Sequence, residues 1–282
     1  MIDSHTQIYG IIGYPVRHSF SPQMHNAAFK AAKLNARYLA FEVTPHNLSE
    51  ALSGIRSLGI CGLNITIPHK EAVASLIDLL DPTAKLIGAV NTIHLKDGKL
   101  IGYNTDGRGF IRALKEELKI IPAGRRFFIL GAGGAARAVG FNLAKEGAKK
   151  IAFYDVLRPK AEKLALDLRH NFPNCKVQIA SGLPLPLLED FDCLVNATPC
   201  GMKNSDPLIV DPRFFHPGLI VCDLIYNPLR TKLLKVAQAK RLKTMNGLGM
   251  LLYQGVISWE IWTGKKAPVG IMKKVLTNIV AQ

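Results

Sequence analysis

The chain has 282 residues, which accommodates two domains at roughly 100–200 residues each. An apolar fraction of 48% is enough for a buried core and excludes a disordered chain. The formal charge of +15 leaves two readings open: a nucleic-acid surface, or an enzyme whose field draws in anionic ligands.

The basic residues are spread along helix-like stretches, as in KEGAKK (145–150) and KVAQAKRLK (235–243). They form no dense tail and no aromatic–basic repeat, so no nucleic-acid partner is expected. No run approaches the roughly 18 apolar residues of a membrane span, so no membrane partner is expected either. The opening MIDSHTQIYG lacks the pattern of a secretory signal, and a cytoplasmic protein is expected. Cys61, Cys175, Cys193, Cys200 and Cys222 show no CxxC spacing and read as reduced thiols. The eight histidines are dispersed and no HExxH occurs, so no metal is expected.

Strand and helix patterns alternate from the start. IYGIIG (8–13) reads as a short apolar strand. Residues 21–34 read as a helix, with Ser21 capping it and Pro22 in its first position. RYLAFEV (37–43) is a strand, residues 47–59 a helix stopped by Gly59, and CGLNIT (61–66) a strand. A helix is expected over 68–80, opened by Pro68. Residues 92–104 form a hairpin around Asp97-Gly98, a strong turn signal. Residues 109–118 are helical, and the Pro, Gly and Arg of 120–126 mark a break.

A tighter strand–helix unit then begins with FFIL (127–130), and KIAFYD (150–155), DCLVNATP (192–199) and LIVCDLIY (219–226) are further strands. The tail from about Leu248 is helical. Alternation of this kind predicts an α/β protein with parallel sheets. The expected domains are 1–105, 106–240 and a C-terminal segment, 241–282.

The turn after FFIL is Gly131-Ala132-Gly133-Gly134-Ala135-Ala136, a G-x-G-x-x-A fingerprint. Gly131 permits the tight turn, Gly133 lets the backbone approach a pyrophosphate, and Ala136 lets helix and strand pack closely. The helix N-terminus then faces the phosphates. An acidic residue is expected about 20 positions on. Asp155 lies 19 positions after Ala136, at the end of the next strand. A carboxylate there bonds a ribose 2′-hydroxyl and repels a 2′-phosphate, which favours NAD. Arg158 and Lys160 nearby read either as phosphate contacts or as a solvated helix start. A tight turn with no ligand is the competing reading of the glycines.

Four segments of the first domain carry polar groups where strands finish: 18–22, 64–70, 89–92 and 104–107. Ligands of α/β sheets bind outside these carboxyl ends. Each segment also has a local explanation, such as capping by Ser21 or Asp106, or turn formation by Asn91 and Asn104. Lys70 is the most informative. A cation in the first turn of a helix is electrostatically unfavourable. Such a field is expected to lower its pKa, with Asp106 opposing the shift, and to make Lys70 a proton donor near neutral pH.

At these residues the chain resembles the shikimate dehydrogenase family. The family's G-x-P-x-x-H-S-x-S-P-x-x-H-N opening is present from Gly13 to Asn26, and G-x-N-[VI]-T-x-P-x-K from Gly62 to Lys70. G-A-V-N-T follows at Gly88 to Thr92 and N-T-D-x-x-G at Asn104 to Gly109. GAGGAARA, VNATPCGM (195–202), DLIYNP (223–228) and GLGMLLYQG (247–255) complete the series in the family's order, across essentially the whole chain.

The resemblance implies an N-terminal α/β substrate domain, a Rossmann dinucleotide-binding domain, a cleft between them, and C-terminal helices returning to the substrate domain. It implies reversible reduction of 3-dehydroshikimate to shikimate, in chorismate and aromatic amino-acid biosynthesis, by a monomer or homodimer. Lys70 and Asp106 would be the catalytic pair. Ser19 and Ser21 would hold the substrate carboxylate. Thr66, Asn91 and Gln254 would bond ring hydroxyls, and Tyr226 would line the pocket. Gly131, Ala132, Gly133, Gly134, Ala135, Asp155 and Thr198 would contact the cofactor, with Met202, Gly247 and Met250 on its nicotinamide side.

One departure bears on NAD versus NADP. The NADP-using members carry N-R-[ST]-x-x-[RK] after the second Rossmann strand; here the first three positions are Asp155-Val156-Leu157, and only Lys160 keeps its basic character. NAD, or dual use, is therefore expected. The alternatives are an NAD-dependent quinate/shikimate dehydrogenase and a non-catalytic nucleotide-binding relative. A methylenetetrahydrofolate-type dehydrogenase would not require the HSFSP segment.

Overall fold

The computed structural model describes residues 2–182 and 186–280. The chain divides into two compact units, Met1–Thr105 with Gln254–Gln282, and Asp106–Tyr253. Residues 241–253 thus fall in the second unit, and the chain rejoins the first only at Gln254. The last two residues of the expected helical tail lie outside the described residues.

The first unit opens with β1 (Gln7–Gly13), α1 (Ser21–Ala31), β2 (Ala36–Glu42), α2 (Leu48–Ser57) and β3 (Gly62–Ile65). It continues with β4 (Leu79–Leu80), α3 (Pro82–Ile87), β5 (Thr92–Lys96) and β6 (Lys99–Tyr103). The sheet order is β2-β1-β3-β5-β6-β4. It is mixed rather than wholly parallel: β1 runs parallel to β2 and β3, whereas β5 is antiparallel to β3 and β6. The reason is the Asp97-Gly98 turn. Both residues hold positive φ, 50° and 72°, which folds β5 directly back on β6.

The helix expected over 68–80 does not form. A single 3-10 turn spans Ala72–Ser75, and β4 follows. The backbone groups a helix would use are engaged elsewhere. The Lys70 carbonyl accepts from Val90 N–H at 2.8 Å, and Asp78 and Asp81 N–H donate to Leu100 and Gly102 carbonyls. Lys70 therefore does not lie in the first turn of an α-helix, and the expected helix field is not there. The helix over residues 82–87, which periodicity missed, is capped by Asp81, whose carboxylate accepts from Thr83 N–H at 2.9 Å. Gly88 ends it in the left-handed region. Ser21 also departs from expectation. Phe20 holds the capping position of α1, and Ser21 lies inside the first turn.

The second unit runs α4 (Asp106–Glu117), β7 (Arg126–Leu130), α5 (Gly134–Lys145), β8 (Lys150–Tyr154) and α6 (Arg158–Asn171). It continues through β9 (Lys176–Ile179), β10 (Cys193–Asn196), β11 (Ile220–Asp223), α7 (Lys232–Ala239) and β12 (Lys243–Met245). All six strands are parallel, in the order β12-β11-β10-β7-β8-β9. This is the doubly wound dinucleotide-binding arrangement, with its crevice where β7 meets β10. The edge strands β9 and β12 escaped sequence reading because KVQI and KTM are too short and too polar to show a period.

Each unit has its own core. Leu52, Ile55, Leu63, Ile65, Val90 and Ile93 centre the first. Phe128, Leu188, Phe191, Leu194, Val221 and Leu234 centre the second. The unit boundary falls inside α8 (Leu248–Thr263), and α9 (Val269–Val280) completes the first unit. Among the described residues, no helix is long and apolar enough to cross a membrane.

Candidate active site

In the first unit, period-2 alternation along β3 separates core from site. Leu63 and Ile65 enter the core, whereas Gly62 and Asn64 face α8. A Cβ on Gly62 would fall 2.4 Å from the Trp262 indole nitrogen, which itself donates to the Ile93 carbonyl at 2.8 Å. Glycine here lets α8 press against the strand. Asn64 thereby joins a buried polar cluster with Asn91, Thr92, Thr105, Gln254 and Ser258.

Within this cluster Asn91 and Gln254, 163 positions apart, meet directly. Asn91 Nδ2 donates to Gln254 Oε1 at 3.3 Å and to Thr105 Oγ1 at 2.8 Å. The turn that carries Lys70 is tied to the same region by the Lys70–Val90 backbone bond, one residue before Asn91. His69 Nε2 lies 2.7 Å from the Val43 carbonyl and fixes that turn further. Lys70 itself is half-buried. Thr66, also half-buried, donates its N–H to the Ile12 carbonyl and accepts from His69 N–H. Ser19 and Ser21 are both buried after β1, and Ser21 N–H donates to Ser19 Oγ at 3.3 Å.

In the second unit, Asp106 opens α4 and is 4% exposed. The next residue explains the helix's placement. A Cβ on Gly107 would lie 2.2 Å from the Ala138 carbonyl, so α4 and α5 approach backbone to backbone.

The glycine-rich turn has the dinucleotide geometry. Gly131 holds φ +99°, and a Cβ there would stand 3.0 Å from the Ala197 carbonyl. Gly133 is the capping position of α5 and has no side chain to cap the helix's leading N–H groups. Nothing stands within 4 Å of where its Cβ would be. Open space over uncapped N–H donors fits a pyrophosphate. Gly134 and Ala135 share this half-exposed turn, and Ala136 is fully buried.

Asp155 reaches back to the turn: Oδ2 accepts from Ala132 N–H at 2.7 Å and Oδ1 from Leu157 N–H at 2.8 Å. Val156 is 83% exposed, and Arg158 pairs with Glu162 at 2.8 Å.

The ends of β10 and β11 hold a second buried network, which sequence reading did not anticipate. Thr198 Oγ1 donates to Asn196 Oδ1 at 2.7 Å, and Asn196 Nδ2 donates to Asp223 Oδ1 at 3.0 Å. Asp223 Oδ2 accepts from Thr231 Oγ1 at 2.7 Å. Ile225 N–H also donates to Asp223 Oδ1 at 3.1 Å, and burial pushes the carboxyl up to about 6 against these hydrogen bonds from Asn196, Thr231 and Ile225. Gly247 is fixed by packing, since a Cβ would fall 2.0 Å from the Leu224 carbonyl. Met250 is buried, Tyr226 half-buried, and Met202 exposed on a turn. Among the described residues, no group of three His, Cys, Asp or Glu is arranged to hold a metal.

The chain gathers expected residues into distinct groups, Ser19 with Ser21, Asn91 with Gln254 and Ala132 with Asp155, and it joins the expected Thr198 to Asn196, which was not among them. Asn64 and Thr92 lie inside motifs already visible in the sequence. Ser258 carried only one signal, a lone hydroxyl in the largely apolar stretch VISWEIW.

Comparison with known proteins adds independent findings. Residues 11–93 match the shikimate dehydrogenase substrate binding domain, and residues 247–277 the shikimate 5'-dehydrogenase C-terminal domain. A shikimate dehydrogenase (NADP(+)) of Methanopyrus kandleri is 50% identical, over 98% of this chain and 96% of its own. A crystal structure of a shikimate dehydrogenase in complex with NADP+ superposes with a TM-score of 0.92 at 44% identity, over 100% of this chain and 98% of its own. The Listeria monocytogenes shikimate 5-dehydrogenase, in complex with shikimate and NAD, gives a TM-score of 0.87 at 38% identity, covering 98% of each chain.

Proposed function

Because this chain belongs to the shikimate dehydrogenase family, we propose that it is a nicotinamide-dependent oxidoreductase that interconverts 3-dehydroshikimate and shikimate. The observation that carries this reading is the meeting of Asn91 and Gln254, from segments 163 positions apart, in a buried polar cluster at the strand ends of the first unit. A polyhydroxylated ring acid needs such directed polar contacts, and a site built on them rejects analogues that lack a hydroxyl.

A nicotinamide dinucleotide, when bound, would supply or accept the hydride. In the reducing direction Lys70 Nζ gives its proton to the C3 oxygen, which becomes the hydroxyl, and regains one from water. The Asp106 carboxylate orients Lys70 and accepts from the reacting hydroxyl. Asp106 directly follows Thr105, whose N–H donates to Asn91 Oδ1 at 2.8 Å. The Ser19 and Ser21 hydroxyls hold the substrate carboxylate, Thr66, Asn91 and Gln254 the ring hydroxyls, and Tyr226 the pocket wall. The backbone from Gly131 to Ala135 would hold the pyrophosphate, with Thr198, Met202, Gly247 and Met250 on the nicotinamide side. Replacing Lys70 with Ala is expected to lower kcat about 10²–10⁴-fold, the range of general acid–base catalysis. Undiminished turnover by that variant would remove Lys70 from the mechanism.

The finer choice of cofactor rests on Asp155. Its anionic carboxylate, pinned by Ala132 and Leu157 N–H, disfavours a 2′-phosphate, and Val156 offers no guanidinium to bind one. NAD use, alone or beside NADP, follows. Initial rates of shikimate and quinate oxidation with NAD and with NADP test both levels. Shikimate turned over with NAD supports the whole reading. NADP favoured by more than about tenfold in kcat/KM, about 1.4 kcal/mol, discards the Asp155 argument and keeps the enzyme. Quinate ahead of shikimate makes it a quinate/shikimate dehydrogenase. No turnover leaves a nucleotide-binding relative.

A further inference from the structure

We propose that Ser258 is a positioning residue that sets the Gln254 amide against Asn91, and so tunes affinity for the ring acid without touching it. This rests on the reading of Asn91 and Gln254 as ring-hydroxyl contacts. Ser258 is fully buried on α8, one helical turn beyond Gln254. Its hydroxyl donates to the Gln254 carbonyl at 2.9 Å. A serine has one proton, so toward every other neighbour this oxygen can only accept. Thr92 Oγ1 lies 2.7 Å away, Asn64 Nδ2 3.1 Å and Thr105 Oγ1 3.2 Å. Thr92 and Asn64 are the closest, and they fill its two lone pairs.

The direction of the remaining bonds then follows. Tyr38 O–H donates to Asn64 Oδ1 at 2.7 Å, which turns the Asn64 amide nitrogen toward Ser258. Thr105 backbone N–H, a donor only, stands 2.8 Å from one terminal atom of Asn91, which must therefore be the oxygen. The Asn91 nitrogen then faces Gln254, whose facing atom must be Oε1, at 3.3 Å. The Gln254 NH₂ group is thereby turned away from Asn91 and is a donor wherever it points. Amide identity is dictated by the network.

Ser258 matters because it joins the two halves of this arrangement. Asn64, Thr92 and Thr105 come from the strand ends, and Gln254 from the helix. The Ser258 hydroxyl bonds Thr92 and Asn64 on the strand side and the Gln254 carbonyl on its own helix, with Thr105 Oγ1 next to it at 3.2 Å. Without it, buried Asn64 and Thr92 donors lose an acceptor, and the Gln254 turn loses its tether.

The test is steady-state kinetics of the full-length enzyme with Ser258→Ala, Thr92→Val, Thr92→Ser and the Ser258→Ala/Thr92→Val double variant, each checked by its melting curve. Thr92→Val is nearly isosteric and guards against a Ser258→Ala chain that does not fold. The expected result is a shikimate KM raised about 5–20-fold in either single variant. The dinucleotide KM stays within twofold and kcat within about threefold, and Thr92→Ser is close to the parent. The double variant is expected to be no worse than the worse single one, since the two groups act as one unit. Folded variants with lowered melting temperature and unchanged shikimate KM would make the cluster structural only and overturn the proposal. Equal rises in both KM values would overturn it too. A parent enzyme that does not turn over shikimate overturns the functional reading and this inference with it, whereas an active parent with indifferent variants overturns the inference alone.

Discussion

His25 and Asp223 are buried groups whose charging the fold resists, and they pull stability in opposite directions with pH. His25 is fully buried, stacked on Tyr38 at 4.5 Å, and neither ring nitrogen has a hydrogen-bond partner among the described residues; burial pushes its pKa down to about 3. The unfolded chain binds that proton near pH 6.5 and the folded one does not. Its stabilising effect is thus complete above about pH 6.5 and is lost as pH falls toward 3, by about 1.4 kcal/mol per pH unit. Asp223 is the reverse case. Its folded pKa is raised to about 6, so its contribution is complete below about pH 3.8 and is lost as pH rises through 6. At neutral pH the ionised Asp223 costs on the order of 3 kcal/mol relative to a permanently neutral group. Measured as chemical-denaturation stability against pH and compared with the parent, His25→Phe is expected to flatten the acid-side loss. Asp223→Asn is expected to gain relative to the parent between pH 4 and 7. A pH profile unchanged by either substitution would contradict the burial argument for that residue.

At the scale of elements, glycines report where two pieces of backbone meet and where they do not. Gly107 sits where α4 crosses α5, with the rigid Ala138 carbonyl 2.2 Å and the Asn142 amide 2.1 Å from any added Cβ. Gly54, inside α2, has nothing within 4 Å. Gly107→Ala is expected to destabilise by about 1–3 kcal/mol or more through overpacking. Gly54→Ala is expected to stabilise by up to about 1 kcal/mol through helix propensity alone. Thermal melts of the two variants check both signs, and equal shifts would mean that the α4–α5 approach is looser than described. The same scale explains the misread segment 68–80. Its apolar spacing suits a helix, but the Lys70 carbonyl and the N–H groups of Asp78 and Asp81 are claimed by residues 90, 100 and 102. Those partners are distant in sequence, so no local pattern announces them. Asp81 and Gly88, by contrast, are local start and stop signals for α3 that a closer reading of D-P-T and Gly88 finds.

For the whole molecule, the two units differ in how they are assembled from the chain. The second is one continuous stretch, Asp106–Tyr253, with its own parallel sheet and core. The first is split, and its C-terminal part supplies Trp259, Trp262, Met272 and Leu276, all buried, together with Gln254 and Ser258. Residues 106–253 expressed alone are therefore expected to melt cooperatively and bind dinucleotide, whereas residues 1–105 alone are expected to be unfolded or molten by near-UV circular dichroism. A cooperatively folded 1–105 fragment would show that the returning helices are dispensable. This division also separates what the sequence carries from what folding adds. The alternating elements, the glycine turn with Asp155, the Asp97-Gly98 hairpin and the family's polar motifs are legible in order along the chain, because each depends on residues within about 25 positions of one another. The cluster joining Asn64, Asn91 and Thr92 to Gln254 and Ser258 spans 163 to 194 positions, and the loss of the 68–80 helix turns on bonds to residues 90, 100 and 102 that no local period marks. Such pairings form only when buried donors and acceptors must find partners away from water, and tertiary structure alone decides which partner each one takes.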